Sequence, residues 1–228
     1  MSKDDIFSVL DLGIEDHQIS SLKYSGENIL NKYCVCGVTT LGRSFLSGLT
    51  EIIGLNPVGY FVATIEEITN PVEYANGGDP KTKFIRSIRS EVFVYREITI
   101  IMIEKPNLCE REFIEQIFNL VKPEKIYILD SVKKDENLKI TFLSNKEEKS
   151  INNIIDNISA GFLIMGKFEN IEVNVHYLTV NKNGSSSESM KLWADSMKDI
   201  FQINSDNMSK HANYIAQIRE KNINSIYS

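Results

Sequence analysis

Apolar and polar positions alternate between two periods along this chain, which predicts strands and helices in turn. Residues 33–39, Tyr-Cys-Val-Cys-Gly-Val-Thr, form a short apolar, β-branched run that reads as a first buried strand. Leu41, Phe45, Leu49, Ile52 and Ile53 then recur at helical spacing, and Gly54 stops that helix. Residues 58–64 read as a second strand after Pro57. Residues 91–95 and 98–103 read as two more, joined as a hairpin by Arg96-Glu97, a pair ill suited to a tight turn. Phe113, Ile114, Ile117, Phe118 and Val121 mark one face of a helix that begins near Asn107 or Glu110 and ends before Pro123. A strand over 125–130 follows after a two-residue link, the αβ half of a βαβ unit. A helix over 151–166 and a strand over 172–180 complete the alternation.

Beyond Asn183-Gly184 the chain reads as helical to its end. Ser185 and Glu188 form a capping box, in which hydroxyl and carboxylate each satisfy a free amide of the first turn. Met190, Trp193, Met197, Ile200 and Phe201 line one face, and Asp206 caps a last helix through Ala212, Tyr214, Ile215 and Ile218. The remaining stretches lack these periods. Residues 1–30 read as a polar arm with short elements, and 65–90 and 131–150 as loops. The expected fold is a three-layer α/β sandwich with a mixed, mainly parallel sheet and a helical C-terminus. A single α/β domain is expected over 31–222, with a tail over 223–228.

Composition narrows the function. Lys and Arg number 25 against 31 Asp and Glu, a net charge of −6, and the basic residues are scattered. Nucleic-acid affinity rests on neutralising phosphates, so no nucleic-acid partner is expected. No apolar run reaches the length of a membrane span, and Met1-Ser-Lys-Asp-Asp-Ile carries acids where a secretory signal would carry bases. No membrane partner and no secretion are expected. The cysteines are Cys34, Cys36 and Cys109, an odd number that suits reduced thiols. Strand side chains alternate between faces, and on that ground Cys34-Val35-Cys36 is expected not to chelate one metal together. All three read as small core residues.

Catalytic motifs do not accumulate. Gly37-Val-Thr-Thr-Leu-Gly42 lacks both the dinucleotide fingerprint and the Gly-Lys-Ser/Thr end of a P-loop. Gly42-Arg-Ser-Phe-Leu46 fails the nucleophile elbow at its last position, and Ser44 reads as a helix-surface or capping hydroxyl. His17, His176 and His211 lie far apart in sequence with no local triad motif, and Asp130 is one acid at a strand end. No catalytic residue, metal or cofactor is expected. Two other readings stand beside that one. An α/β enzyme of nucleoside-processing or hydrolase type predicts a concave pocket with convergent polar groups at the strand ends. The third candidate is described with the tail.

The last three residues are Ile226-Tyr227-Ser228: an aliphatic residue, a tyrosine and a residue bearing the free carboxylate. This hydrophobic-Tyr-x (HbYX) ending matches tails that dock into pockets of the 20S proteasome outer ring. The segments 29–34 (Ile-Leu-Asn-Lys-Tyr-Cys), Phe45-Leu-Ser47, Ser159-Ala-Gly-Phe-Leu-Ile-Met, 173–180, 190–201 and Ile223-Asn-Ser-Ile-Tyr-Ser228 occur in an order that resembles the proteasome assembly chaperone 1 family. The chain departs from animal members in lacking a long acidic N-terminal extension, and 65–90 and 131–150 match poorly. The resemblance implies a nucleoside-phosphorylase-like fold without the active site. It implies a chaperone that is not an enzyme, a heterodimer with proteasome assembly chaperone 2, and action on the α subunits of the forming 20S ring. It also implies a cytoplasmic protein, with the nucleus left open, whose partner-binding residues are Ile226, Tyr227 and Ser228. The sister chaperone 2 subunit is the remaining alternative, sharing fold and position but differing in its tail.

Overall fold

The computed structural model describes residues 18–68, 83–104, 110–134, 136–146, 157–181, 186–211 and 214. The elements run β1 (Gln18–Gly26), β2 (Tyr33–Gly37), α1 (Thr40–Ile53), β3 (Gly59–Ile68), β4 (Lys83–Tyr95), β5 (Ile98–Met102), α2 (Glu110–Leu120), β6 (Lys125–Lys134), β7 (Lys139–Ser144), α3 (Asn157–Phe168), β8 (Glu172–Asn181) and α4 (Ser186–Phe201). Eight strands form one mixed sheet in the order β1-β3-β4-β5-β2-β6-β8-β7. Its centre, β5-β2-β6-β8, is parallel, and the flanking pairs are antiparallel.

Helices cover both faces. On one side α1 and α4 pack Phe45, Leu46, Leu49, Trp193 and Met197 over Val35, Ile100, Leu129 and Leu178. On the other, α2 and α3 set Phe113, Ile117, Phe162 and Leu163 against Cys34, Cys36, Ile101, Ile126 and Val175. A strand covered on both faces must be apolar at every position, which is why β2 reads as a continuous run rather than an alternation. Burial of these side chains is the main stabilising term, at roughly 1.5–3 kcal/mol for each large aliphatic or aromatic residue.

Helix α1 shows how sequence punctuation becomes structure. Thr39 stands outside the helix in extended conformation, and its Oγ1 accepts a hydrogen bond from the Gly42 amide at 3.4 Å. Gly54 adopts φ +74° at the other end, with Gly54 and Leu55 amides donating to the Glu51 and Thr50 carbonyls. Inside the helix, Gly42 rests on β6. A Cβ there would sit 2.5 Å from the Leu129 carbonyl oxygen.

Several readings need correction. Residues 1–30 read as an arm, yet residues 18–26 are the strand β1, paired antiparallel to β3. Leu22 and Ile29 are buried. The polar and glycine residues there mislead because an edge strand buries one face only. Of the stretch read as a loop over 65–90, residues 65–68 belong to β3 and 83–90 to β4, and residues 69–82 lie outside the described residues. The loop over 131–150 contains the end of β6 and all of β7. Arg96-Glu97 does close a tight β4–β5 hairpin, with Tyr95 opposite Ile98. Arg96 takes φ +54°, at a cost of roughly 1–2 kcal/mol for a residue with a Cβ. Its guanidinium lies 5.1 Å from the Tyr95 ring centroid and donates to Gln202 Oε1, which offsets that strain. Ser185 of the capping box lies outside the described residues, and α4 begins next to it at Ser186. Residues 205–211 are helical beyond α4.

The contact between Gly42 and Leu129 carries a prediction. At an open helical position Gly→Ala stabilises by about 1 kcal/mol. Here the methyl group meets a backbone oxygen, so Gly42→Ala is expected to lower unfolding free energy by about 1–3 kcal/mol. Urea denaturation followed by circular dichroism measures the change.

Candidate functional site

The carboxyl ends of the parallel strands are where open α/β sheets bind ligands. Here Asp130, on β6, is fully buried. Its Oδ2 accepts the Ser159 hydroxyl at 2.6 Å and its Oδ1 accepts the Ser131 amide at 2.7 Å. The carboxylate thereby ties β6 to α3. Ser131 Oγ meets Thr39 Oγ1 at 2.9 Å, joining β6 to the cap of α1. Arg43 Nη1 donates to the Ile103 carbonyl at 2.9 Å, and its Nε lies 3.2 Å from Glu104 Oε1. These polar groups are directed at one another and join neighbouring elements. Ser44 is buried within α1 rather than lying on its surface, so the solvent-facing reading of that hydroxyl is corrected.

The two described histidines serve different parts of the molecule. His211 Nε2 lies 3.7 Å from Glu51 Oε2, linking the helical turn 205–211 to α1. His176 lies in β8, nearly buried, with Tyr127 and Phe142 edge-on to its ring at centroid distances of 5.8 and 4.8 Å. Its Nδ1 is 3.1 Å from Ser196 Oγ, which itself donates to the Trp193 carbonyl at 2.9 Å. The serine proton is thus committed, and Nδ1 carries the hydrogen. Trp193 Nε1 donates to the His176 carbonyl at 3.3 Å. His176 is therefore the fastening between β8 and α4. Burial, and secondly the charge of Lys125, lower its pKa to about 4. Glu172, at the start of β8, is held at about 2 by hydrogen bonds from Lys125, Lys146 and Asn174.

Cys34 and Cys36 both face the α2/α3 side, with Sγ atoms 3.6 Å apart in full burial. The expectation that they point to opposite faces is corrected: residues two apart on a strand share a face. Burial first, then the hydrogen bond its thiol shares with Cys34, pushes Cys36 well above its ordinary pKa. Among the described residues, no group of three or more His, Cys, Asp or Glu comes together to hold a metal. No helix there is long and apolar enough to cross a membrane. Ile226, Tyr227, Ser228, His17 and Cys109 lie outside the described residues.

The surface offers one feature that sequence reasoning missed. Phe142, in the middle of edge strand β7, is 57% exposed. Its signal was legible: Lys139-Ile-Thr-Phe-Leu-Ser144 is rich in β-formers, but sits in a stretch read as a charged loop.

No family model matches the chain, and no curated protein matches it in sequence. Solved structures do match. PbaA of Pyrococcus furiosus, an archaeal homologue of proteasome-assembly chaperone, superposes with a TM-score of 0.59 at 10% identity, covering 90% of this chain and 93% of that one. The fold is that of proteasome-assembly-chaperone-like proteins. PbaB of the same organism, an archaeal proteasome activator, gives 0.57 at 10% identity over 88% of this chain and 98% of its own. The Mycobacterium tuberculosis proteasome-assembly chaperone homologue Rv2125 gives 0.52 at 11% identity over 82% and 94%. The expected three-layer arrangement with a mixed sheet holds.

The buried histidine sets a pH dependence. Its folded pKa lies below the ordinary 6.5, so its neutral form is favoured in the fold. Stability is full above pH 6.5 and falls as pH drops toward 4, by about 3 kcal/mol from this residue. Glu172 adds a loss in the same direction between pH 4.5 and 2. In urea titrations across pH, His176→Gln is expected to flatten the decline between pH 6.5 and 4 while leaving the lower limb in place.

Proposed function

We propose that this chain is a proteasome assembly chaperone that promotes formation of the 20S proteasome α-ring, not an enzyme. The observation that carries the proposal is the shared fold with proteasome-assembly chaperone homologues over about nine-tenths of the chain. The ending Ile226-Tyr227-Ser228 supports it independently. The strand-end polar groups, engaged with one another, favour a binding role over a nucleoside-processing one.

In this reading the tail enters a pocket between adjacent α subunits. Ile226 buries aliphatic surface, the Tyr227 ring adds apolar area and a hydroxyl, and the terminal carboxylate of Ser228 pairs with a lysine or backbone amides of the pocket. Such a contact alone binds at roughly 10 μM to 1 mM, so the folded body must raise its effective concentration. The body can do so. Met208 is fully buried, and Lys191–Asp206 and His211–Glu51 pairs fasten residues 205–211 to α4 and α1. Ile226 lies twelve positions beyond Tyr214, a span of at most ~40 Å, so the pocket lies within that radius of Tyr214. The proposed cellular form is a heterodimer with proteasome assembly chaperone 2, acting in the cytoplasm or nucleus.

Co-purification from cells, with the bait's C-terminus free, tests this reading. α Subunits and a related chaperone are expected together. Deletion of residues 226–228, or Tyr227→Ala, is expected to reduce α-subunit recovery at least about tenfold and leave the related chaperone bound. A C-terminal tag should act like the deletion because it moves the carboxylate. Undiminished recovery rejects the tail as the contact, and recovery of neither partner rejects the chaperone reading.

A further inference from the structure

The two edges of the sheet are built differently. β1, at one end, carries a register irregularity between Ile19 and Ser21 and an exposed Lys23, devices that blunt an edge against further pairing. β7, at the other end, keeps unbroken register with β8 from Lys139 to Ser144. In its middle the exposed side chain is Phe142. Among the described residues no strand pairs with its outer side. A straight edge with an exposed aromatic residue at its centre is suited to accept one more strand.

The sequence of β7 points to the occupant. We propose that this edge pairs, antiparallel and about a two-fold axis at Thr141, with the β7 strand of a second copy of the chain. That register is self-complementary. Ile140 falls opposite the second copy's Phe142, and Phe142 opposite the second copy's Ile140, on the face that carries α1 and α4. Thr141 meets its own counterpart, a favourable cross-strand pair. Glu136, in the bend before the strand, and the second copy's Lys146, in the turn after it, fall at the same end of the pair, so opposite charges approach one another at both ends. Each charge already has a partner within its own chain, exposed Lys139 for Glu136 and half-buried Glu172 for Lys146, and Glu172 keeps Lys125 when Lys146 turns outward. A register shifted by two residues, with Phe142 on the axis, would set Ile140 opposite Ser144 and lose the charge match. The outcome is one continuous sheet across two molecules, with the same helical layers on the same sides.

Self-pairing concerns the purified chain alone and stands apart from the proteasome reading. Sedimentation velocity of the full chain, from micromolar to a few hundred micromolar, is expected to show a concentration-dependent dimer. Phe142→Lys, at an exposed position, is expected to raise the dissociation constant at least about tenfold, with an unchanged circular dichroism spectrum. In a Cys109→Ser background, Thr141→Cys is expected to form a disulfide-linked dimer under mild oxidation, because only a residue on the axis meets itself. Lys139→Cys is expected not to do so. A chain that stays monomeric throughout, a dimer indifferent to Phe142→Lys, or cross-linking at position 139 in preference to 141 overturns the proposal. So does a monomer that pairs only after a related α/β subunit is added.

Discussion

The middle of β2 has to be covered on both faces at once. Cys34, Val35 and Cys36 are fully buried, hydrogen-bonded on one side to β5 and on the other to β6. Neither helical layer can be removed without exposing that strand. Parallel neighbours on both sides also require crossovers, and the crossovers supply α1 on one face and α2 on the other. The three layers thus follow from the position of five residues in the middle of the sheet.

The same constraint shapes the strand ends. Because α1 rises from β2 and must pass over β6, its first turn is pressed on the Leu129 carbonyl, and only glycine fits at position 42. The cap Thr39 then finds Ser131 beside it, and Asp130 turns inward to Ser159. In many α/β proteins this region holds a ligand. Here its polar groups join sheet to helices.

Polar residues recur as fasteners between elements. His176 binds β8 to α4 through Ser196 and Trp193, and holds Tyr127 and Phe142 edge-on. Glu172 gathers Lys125, at the start of β6, and Lys146, just past the end of β7. Both groups favour the fold most strongly near neutral pH, and acid acts on them in the same direction. The region they secure, β6 through β8, ends at the edge where Phe142 is exposed.

The alternating periods of the chain determined the element types over most of the described residues, and Gly54 announced the end of α1. Those are local properties: helical spacing, caps and β-branched runs act within a few residues. Strands β1 and β7 escaped because each sits at an edge, where one face meets water and the apolar pattern is diluted by charge. The common face of Cys34 and Cys36 follows from strand geometry, but their 3.6 Å separation needed the packed core. Only the tertiary structure could decide that Asp130 turns inward, that His176 is held neutral, and that Phe142 is exposed on one edge strand of the sheet. Each depends on residues far apart in sequence, brought together by the burial of β2.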